Sequence, residues 1–533
     1  MRYSHLLQTR YVVGLLLSLV SACASTPAPK ANTADTAVEA KPAPQPETPP
    51  ASGPTPELQF PVVRRSTTKG GLEVNAVDLE QLPIVDLKLV IRSGSASDPK
   101  SMPGTAQLVA AMLKEGTKQR TSAEIAEQVD FLGAQLWIDN DQENIYIQMR
   151  ALAEHMEAAM DLIADLAMRP AFSARELDKL KKREIDRLAL SQKDPNFLAA
   201  REFFQRLYGD HPYAHFDTTQ EVVRRMTTAH LKAFHKQHFL VNNALLVVAG
   251  SAQPEAVTAA AAKSFRGFRK GKVVEPDYPS PPVRQGREIV VVDRPESVQS
   301  VIYVGNLALA RTSPDYLPLL LANQVLGGSA AARLFMDLRE RQSLTYGAYS
   351  RVYESVGVAP FQAYAAVRNE VTQQAMSAFM KHLQQIRSDE VPEPELQDAK
   401  RLLVDKLPLR LDTSAKIVEL VSDLRVYGLA DDYWEHFREN IEGVTAEQAL
   451  AAAQQYIQAD DALIVVVGKA AAVNGALAEY GPVTVVDPAG NPIASEESAE
   501  PAETNEVEAT AAEASSKTAA QAAAKASSTT GAN

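Results

Sequence analysis

A repeated strand-like segment constrains the fold of this 533-residue chain more than any other feature. The apolar run NALLVVAG at 243–250 recurs at 461–468 as DALIVVVG, an offset of 218 residues. Thr227 before the first copy and Thr445 before the second have the same offset. Continuous apolar runs of this length, rich in β-branched residues, predict buried strands. The sequence therefore predicts a tandem duplication of one domain.

Each predicted copy begins with strands and continues through long helices. Residues 84–91 and 288–292 have strand patterns, whereas residues 151–168 and 173–190 have apolar side chains at helical spacing and charged outer faces. Sheets whose apolar face needs a cover are packed against helices in most mixed domains. We therefore expect an α+β fold with two homologous domains, each a sheet covered by helices.

Composition separates the ordered part of the chain from its ends. Residues 24–60 are rich in Pro, Ala and Thr, and residues 488–533 are mostly Ala, Ser, Thr and Glu with no aromatic residue. Neither segment has enough apolar surface to offset the entropy of ordering, so we predict a disordered tether and a disordered acidic tail. The domains are predicted at 61–272 and 288–487, with a proline-rich linker at 273–287.

The N-terminus has the pattern of an export signal. Its apolar run, 11–20, follows two arginines and is too short to span a bilayer permanently. Residues 1–23 resemble a bacterial lipoprotein signal peptide that ends at Cys23, the residue that would be acylated. Cys23 is the sole cysteine, which excludes a disulfide framework. Ala24 resembles a signal for the outer membrane, so we expect a lipid-anchored protein whose core lies in the periplasm or at the surface. Cleavage near Ala22 as an ordinary secretory peptide is the alternative.

A helical segment at 104–117, GTAQLVAAMLKEGT, has the frame of a zinc-binding helix without its ligands. In the inverted zincin motif, H-x-x-E-H, two histidines and a glutamate share one helical face, where the imidazoles bind Zn²⁺ and the carboxylate moves a proton. Here that face reads Gln107, Ala110 and Ala111. Glutamine is a poor zinc ligand and alanine has no donor atom, so we expect no metal and no catalytic residue of the chain's own.

The surrounding residues resemble the insulinase/pitrilysin family of metallopeptidases, whose active members read roughly GxAHFLEHMLFKGT. The match lies in 104–106 and in most of 112–117. Glu184 stands 77 residues after Gln107, about where the family keeps a third zinc ligand, and residues 209–213 resemble its HPY segment. The resemblance implies the two-domain bacterial type, with mostly antiparallel sheets and helices on one side. A generic amphipathic helix is the alternative interpretation.

The second half resembles another part of the same family. Residues 326–346 are similar to the family's LGGSxxSRLFxxLREKxGLAY segment. In active members an arginine and a tyrosine seven residues apart reach the substrate and the developing oxyanion, and Arg339 and Tyr346 match that pair. A guanidinium can hold a peptide carbonyl, and a phenol can donate a hydrogen bond to developing charge. A structural role at a helix end is the alternative.

The zinc ligands of the family are absent from this chain, whereas the arginine–tyrosine pair is retained. This difference leads to a functional hypothesis. Family enzymes enclose their chamber with four such domains, whereas two are predicted here. We expect a zinc-less subunit of a heterodimeric insulinase-like metallopeptidase, inactive alone. Its Arg339 and Tyr346 would bind the substrate and stabilise the oxyanion in the active site of a zinc-bearing sister subunit that cleaves peptides.

Two other functions stay open. The first is a non-enzymatic scaffold or substrate-capture lipoprotein of the cell envelope, which predicts indifference to changes at Arg339 and Tyr346. The second is an autonomous zinc peptidase with relocated ligands. His230, His235 and His238 share one helical segment, but it has no carboxylate or cysteine at ligand spacing. We therefore interpret His235 and His238 as helix-surface or cap residues.

The charge of the chain limits its partners. Its formal net charge of −12 gives no electrostatic footprint for nucleic acid. The expected partners are therefore the zinc-bearing sister subunit, peptide substrates and a membrane reached through the lipid anchor.

Overall fold

The structure, a computed structural model, describes Gly53, residues 59–274 and residues 278–493. The predicted signal peptide with Cys23, nearly all of the tether and most of the acidic tail lie outside these ranges. Within them, every helix is too short or too polar to cross a membrane.

The first half forms one six-stranded sheet and the helices that cover it. Its strands are β1 (Arg64–Thr67), β2 (Glu73–Asp78), β3 (Ile84–Ile91), β4 (Gln135–Asn140), β5 (Ile145–Leu152) and β6 (Ala244–Gly250). Its helices are α1 (Thr105–Leu113), α2 (Ser122–Phe131), α3 (Met156–Met168), α4 (Ala174–Ser191), α5 (Pro195–Tyr208), α6 (Gln220–Arg225), α7 (Thr228–His238) and α8 (Pro254–Ser264).

The second half forms a second six-stranded sheet. Its strands are β7 (Glu288–Asp293), β8 (Gln299–Leu309), β9 (Thr345–Val352), β10 (Ala359–Arg368), β11 (Leu463–Gly468) and β12 (Val483–Val486). Its helices are α9 (Tyr316–Leu326), α10 (Arg333–Phe335), α11 (Thr372–Ser388), α12 (Glu393–Asp405), α13 (Ser414–Val426), α14 (Phe437–Glu442), α15 (Ala446–Tyr456) and α16 (Ala470–Ala478). Helix α10 continues directly into a π-helical turn, Met336–Arg341.

The two sheets have equivalent topologies, which confirms the predicted duplication. Their strand orders are β1-β2-β6-β3-β5-β4 and β12-β7-β11-β8-β10-β9. In each sheet the repeated strand, β6 or β11, pairs in parallel with one neighbour and antiparallel with the other. Most remaining pairs are antiparallel, although β12 joins its sheet in parallel where β1 joins antiparallel. The predicted α+β class with mostly antiparallel sheets is confirmed.

The helices before the repeated strands also begin alike. The amide of Thr445 donates to Oε1 of Gln448 at 2.9 Å, and the amide of Gln448 donates to Oγ1 of Thr445 at 3.2 Å. This reciprocal pair is a capping box, which fixes the first turn of α15. At the equivalent start of α7, the amide of Thr227 donates to Nδ1 of His230 at 3.2 Å. The repeated threonines therefore mark the same helix start in both halves.

The two halves exchange one helix each, which the sequence did not predict. Helix α5 of the first half packs on the second sheet, with Phe203 and Leu198 buried against Val465. Helix α13 of the second half packs on the first sheet, with Val421 buried against Val247. The expectation of helices on one side only is therefore wrong. Strands β6 and β11 are buried along their whole length, so both faces need a cover, and the opposite half supplies the second one.

Residues at the edges of the predicted tether, linker and tail pack near the exchanged helices. Phe60, assigned to the tether, is half-buried in the cluster around α13. Tyr278, assigned to the linker, packs into the core shared by α5 and the second sheet. Residue 488, assigned to the acidic tail, accepts a hydrogen bond at 2.8 Å from Nη2 of Arg201. Each segment contacts the exchanged helices, and composition alone did not indicate this packing.

Candidate functional site

Helix α1 carries the degenerate motif, and Asp98 fixes its first turn. Oδ2 of Asp98 accepts a hydrogen bond from the amide of Gly104 at 2.6 Å, and Oδ1 accepts one from the amide of Ala106 at 2.7 Å. Burial raises the pKa of Asp98 to about 7, while these hydrogen bonds oppose the shift. Gly104 has a φ of 88°, and a Cβ there would lie 2.6 Å from Cβ of Thr218. The glycine is therefore required on both conformational and steric grounds.

The motif face of α1 meets Glu184 on α4. Nε2 of Gln107 donates to Oε1 of Glu184 at 3.1 Å. Glu184 is buried, as is Ala110, while Gln107 and Ala111 are half-buried. The structure thus brings together two residues 77 positions apart that the family resemblance paired.

Arg187, one turn beyond Glu184 on α4, occupies the centre of this site. Its Nη2 donates to Oε1 of Glu184 at 2.6 Å, and its Nε donates to the same oxygen at 2.9 Å. Nη2 also lies 2.8 Å from both carboxylate oxygens of Asp217. Burial alone would lower the pKa of Arg187, but the two carboxylates outweigh it and raise that pKa. The sequence analysis did not single out Arg187, although an acid and a base three residues apart on a helix are close enough to pair.

These residues do not fit a catalytic zinc ion. Ala110 and Ala111 have no donor atom, and the carboxylates of Glu184 and Asp217 are already bound by Arg187. Zinc sites in enzymes need three protein ligands with free lone pairs. In the parts of the chain that the structure describes, no group of three or more His, Cys, Asp or Glu side chains is placed to hold a metal ion.

A cavity of about 420 Å³ lies beside the degenerate motif. Arg187 and Asp217 form part of its wall, and residues 139–142 at the end of β4 form another part. Phe197 and Phe216 also line it, with ring centroids 5.6 Å apart. Burial raises the pKa of the Asp139 carboxyl at its rim. Gln107 of the degenerate motif is therefore part of the wall of a mixed polar and aromatic cavity.

Arg339 and Tyr346 lie next to each other, and neither residue lines this cavity. Arg339 is on the π-helical turn, and Tyr346 is the second residue of β9, an edge strand. The guanidinium carbon of Arg339 lies 4.9 Å from the ring centroid of Tyr346 and 4.8 Å from that of Phe335. The Tyr346 side chain is 88% exposed. Cation–π contacts hold the pair in place. Nε of Arg339 also lies 3.4 Å from Oε1 of Glu340, and 38% of the Arg339 side chain is exposed.

A buried acid–base pair anchors the π-helical turn. Nε2 of His382 on α11 lies 2.7 Å from Oδ2 of Asp337, two residues before Arg339. Burial alone would raise the pKa of Asp337, but the hydrogen bond with His382 lowers it. Turns of π-helix are frequent at functional sites. The sequence analysis missed this pair, because an Asp and a His 45 residues apart form no recognisable pattern.

His235 and His238 of α7 pack against neighbouring elements of the first half, whereas His230 caps the start of the helix. Nδ1 of His238 lies 2.9 Å from Oγ of Ser93, and Nε2 of His235 lies 2.7 Å from the carbonyl oxygen of Ala167. Burial lowers the pKa of both imidazoles to about 4. The interpretation as helix-surface or cap residues is therefore wrong, because α7 packs these side chains against neighbouring elements rather than towards solvent.

The fold and the site together define a class: a tandem of two homologous domains whose zinc-binding positions are degenerate. Two family models match the chain. "Insulinase (Peptidase family M16)" covers residues 74–208, and "Peptidase M16 inactive domain" covers residues 225–403. The chain belongs to the insulinase family of peptidases, M16, and has Gln107, Ala110 and Ala111 at the positions of the zinc motif.

Individual relatives agree with this assignment. An uncharacterized zinc protease of Mycobacterium leprae is 25% identical over 400 residues, covering 74% of this chain and 89% of the relative. The non-peptidase homolog YmxG of Helicobacter pylori is 23% identical over 334 residues, covering 62% of this chain and 77% of the relative.

Solved structures give the same result. The structure of a peptidase M16 inactive domain from Pseudomonas fluorescens is 29% identical with a TM-score of 0.72, covering 76% of this chain and 98% of that one. The structure of a protease from Helicobacter pylori has the same TM-score at 18% identity and covers 77% of this chain and 100% of that one. At this identity, the similarity supports the fold alone.

Proposed function

We propose that the chain is the zinc-less subunit of a heterodimeric insulinase-like metallopeptidase. In this proposal it presents Arg339 and Tyr346 to a sister subunit that has an intact zinc site and cleaves peptides. One observation carries the proposal: Tyr346 is 88% exposed and stacked with Arg339, although the motif face of the same chain has no metal ligands. Large exposed aromatic residues are common where a partner binds.

The chemistry of the pair suits a substrate-facing role. The Arg339 guanidinium can hold a peptide carbonyl, and the Tyr346 hydroxyl can donate a hydrogen bond to the oxyanion that forms during peptide hydrolysis. The stacking contact and the anchored π-helical turn keep both groups in one geometry before substrate arrives. Preorganised donors of this kind typically contribute about 2.7–4 kcal/mol to the barrier reduction.

The location follows from the N-terminal signal. We propose that Cys23 is acylated and anchors the chain to the outer membrane, with the core in the periplasm or at the cell surface. Lipoproteins carry several acyl chains, and more than one chain is needed for stable anchoring. Detergent partitioning of the wild type, and its loss in Cys23→Ser, would test the anchor.

The first experiment measures zinc content and peptide hydrolysis of the full chain alone and mixed with a zinc-bearing sister chain. We expect neither zinc nor turnover alone, and turnover that appears or rises on mixing. With Arg339→Ala or Tyr346→Phe, that turnover should fall by about 100-fold. Arg341→Ala is the matched control, because Arg341 lies on the same turn and is more exposed. Its 3.8 Å contact with Asp337 is longer than that of His382, so its loss should leave the turn in place.

The main alternative is a scaffold or substrate-capture protein without a catalytic role. The similarity to a non-peptidase homologue favours keeping it as a second candidate. It predicts equal turnover with wild type, Arg339→Ala and Tyr346→Phe, and this result would overturn the heterodimeric peptidase role. Stoichiometric zinc and activity in the isolated chain would overturn both candidates.

A further inference from the structure

We propose that Arg187 acts as the resident cation of the former zinc position and excludes a metal ion from it. The site would then have lost zinc in two ways: by replacement of the two histidine positions, and by occupation of the remaining carboxylate. This inference concerns the motif face of α1 and is independent of the role proposed for Arg339 and Tyr346.

The carboxylate of Glu184 already accepts hydrogen bonds from neighbouring side chains. Its Oε1 accepts from Nε2 of Gln107 at 3.1 Å and from Nε and Nη2 of Arg187 at 2.9 and 2.6 Å. Its Oε2 accepts from Nε of Arg187 at 3.0 Å. Oε1 therefore has three donors, and a metal ion would have to displace the guanidinium to bind it. At Oε2, the positive charge of the adjacent guanidinium opposes the approach of a metal ion.

The positive charge of Arg187 also balances two neighbouring carboxylates. Glu184 and Asp217 are both mostly buried, with about 10% of each side chain exposed, and Arg187 contacts both. Two neighbouring carboxylates in a poorly solvated site repel each other unless a cation lies between them. Zinc supplies that positive charge in an active peptidase, whereas here Arg187 supplies it from the chain itself. A ligand-type glutamate is thus retained as one end of an ion pair between α4 and the segment before α6.

This proposal predicts that restoring the histidines alone does not restore a metal site. The variant Gln107→His/Ala111→His places two imidazoles one turn apart beside Glu184 but leaves Arg187 in position. Adding Arg187→Met frees the carboxylate and removes the competing cation. Zinc affinity of the full chain, measured by competition with a chromophoric chelator, should be about 100-fold tighter in the triple variant than in the double variant.

Arg183→Met in the same double variant is the matched control. Arg183 lies one turn earlier on α4, and its guanidinium pairs with Glu115 at 2.6 Å rather than with Glu184, so no gain in zinc affinity is expected. Circular dichroism and thermal melting verify folding. If Arg187→Met does not fold, Arg187→Gln replaces it. Equal zinc affinity with and without Arg187, or no zinc binding in either background, would overturn the proposal.

Discussion

The ring of Phe203 on α5 packs edge-on against Tyr303 on β8, with centroids 6.0 Å apart, although the two residues belong to different halves of the chain. Both are buried in the core that α5 shares with the second sheet. In the same way, α13 of the second half covers one face of the first sheet. In each half, one face of the sheet is therefore covered by a helix of the other half. Each half therefore has a core between its sheet and its own helices, and a second sheet face that the opposite half covers.

This exchange predicts that both halves unfold together. The chain has two tryptophans, Trp137 on β4 and Trp434 near α13, so Trp434→Phe and Trp137→Phe leave one fluorescent reporter in each half. In urea, the two reporters should give the same midpoint. Phe203→Ala should lower the stability reported by both tryptophans, by about 3–5 kcal/mol. Separate midpoints, or a Phe203→Ala effect confined to Trp434, would mean that the halves are independent.

Acid sensitivity should follow from the buried histidine of α7. The pKa of His238 is lowered from 6.5 to about 4 in the folded chain, so the unfolded chain binds more protons between these values. Stability contributed by neutral His238 is present above pH 6.5 and is lost as the pH falls towards 4. His238→Asn keeps a polar atom near Ser93 but cannot titrate. Between pH 7 and 4.5, the variant should lose about 2 kcal/mol less unfolding free energy than the wild type. Equal losses, measured by urea unfolding at both pH values, would exclude this role.

Gly104→Ala should destabilise the start of α1. The positive φ is unfavourable for alanine, and the added Cβ would lie too close to Thr218. We expect a loss of about 1–3 kcal/mol in unfolding free energy. Gly475 on α16 is the control, because a Cβ there meets nothing within 4 Å and alanine favours helix. Gly475→Ala should raise stability by about 0.5–1 kcal/mol. Similar effects at the two glycines would contradict the steric argument.

The sequence predicted the features that depend on repetition and on local pattern. The repeated apolar runs identified β6 and β11 as buried strands, and the threonines at the same offset proved to be the starts of equivalent helices. The apolar pattern also implied that both faces of each strand are covered. It could not show that the second cover comes from the other half, because α5 and α13 are as amphipathic as helices that stay with their own sheet.

The candidate site was predictable only in part for a similar reason. The spacing between Gln107 and Glu184 indicated their contact through the family resemblance, and Arg187 could have been paired with Glu184 from its position on the same helical face. The approach of Asp217 depends on how the chain turns between α5 and α6. Such long-range contacts between charged side chains have no periodic signal in one sequence.

The buried pair below Arg339 gives a final prediction. His382→Ala removes the hydrogen bond to Asp337 and leaves this buried carboxylate with weaker contacts, among them one of 3.8 Å to Arg341, which should lower the unfolding free energy by about 1–3 kcal/mol. Because Asp337 anchors the π-helical turn, the same variant should also reduce the turnover that Arg339 supports in a mixed sample. His436→Ala is the control: His436 also pairs with acids, but its side chain is 53% exposed, so little change is expected. Thermal melting of the two variants separates these outcomes, and equal melting temperatures would show that the His382–Asp337 contact does not stabilise the turn.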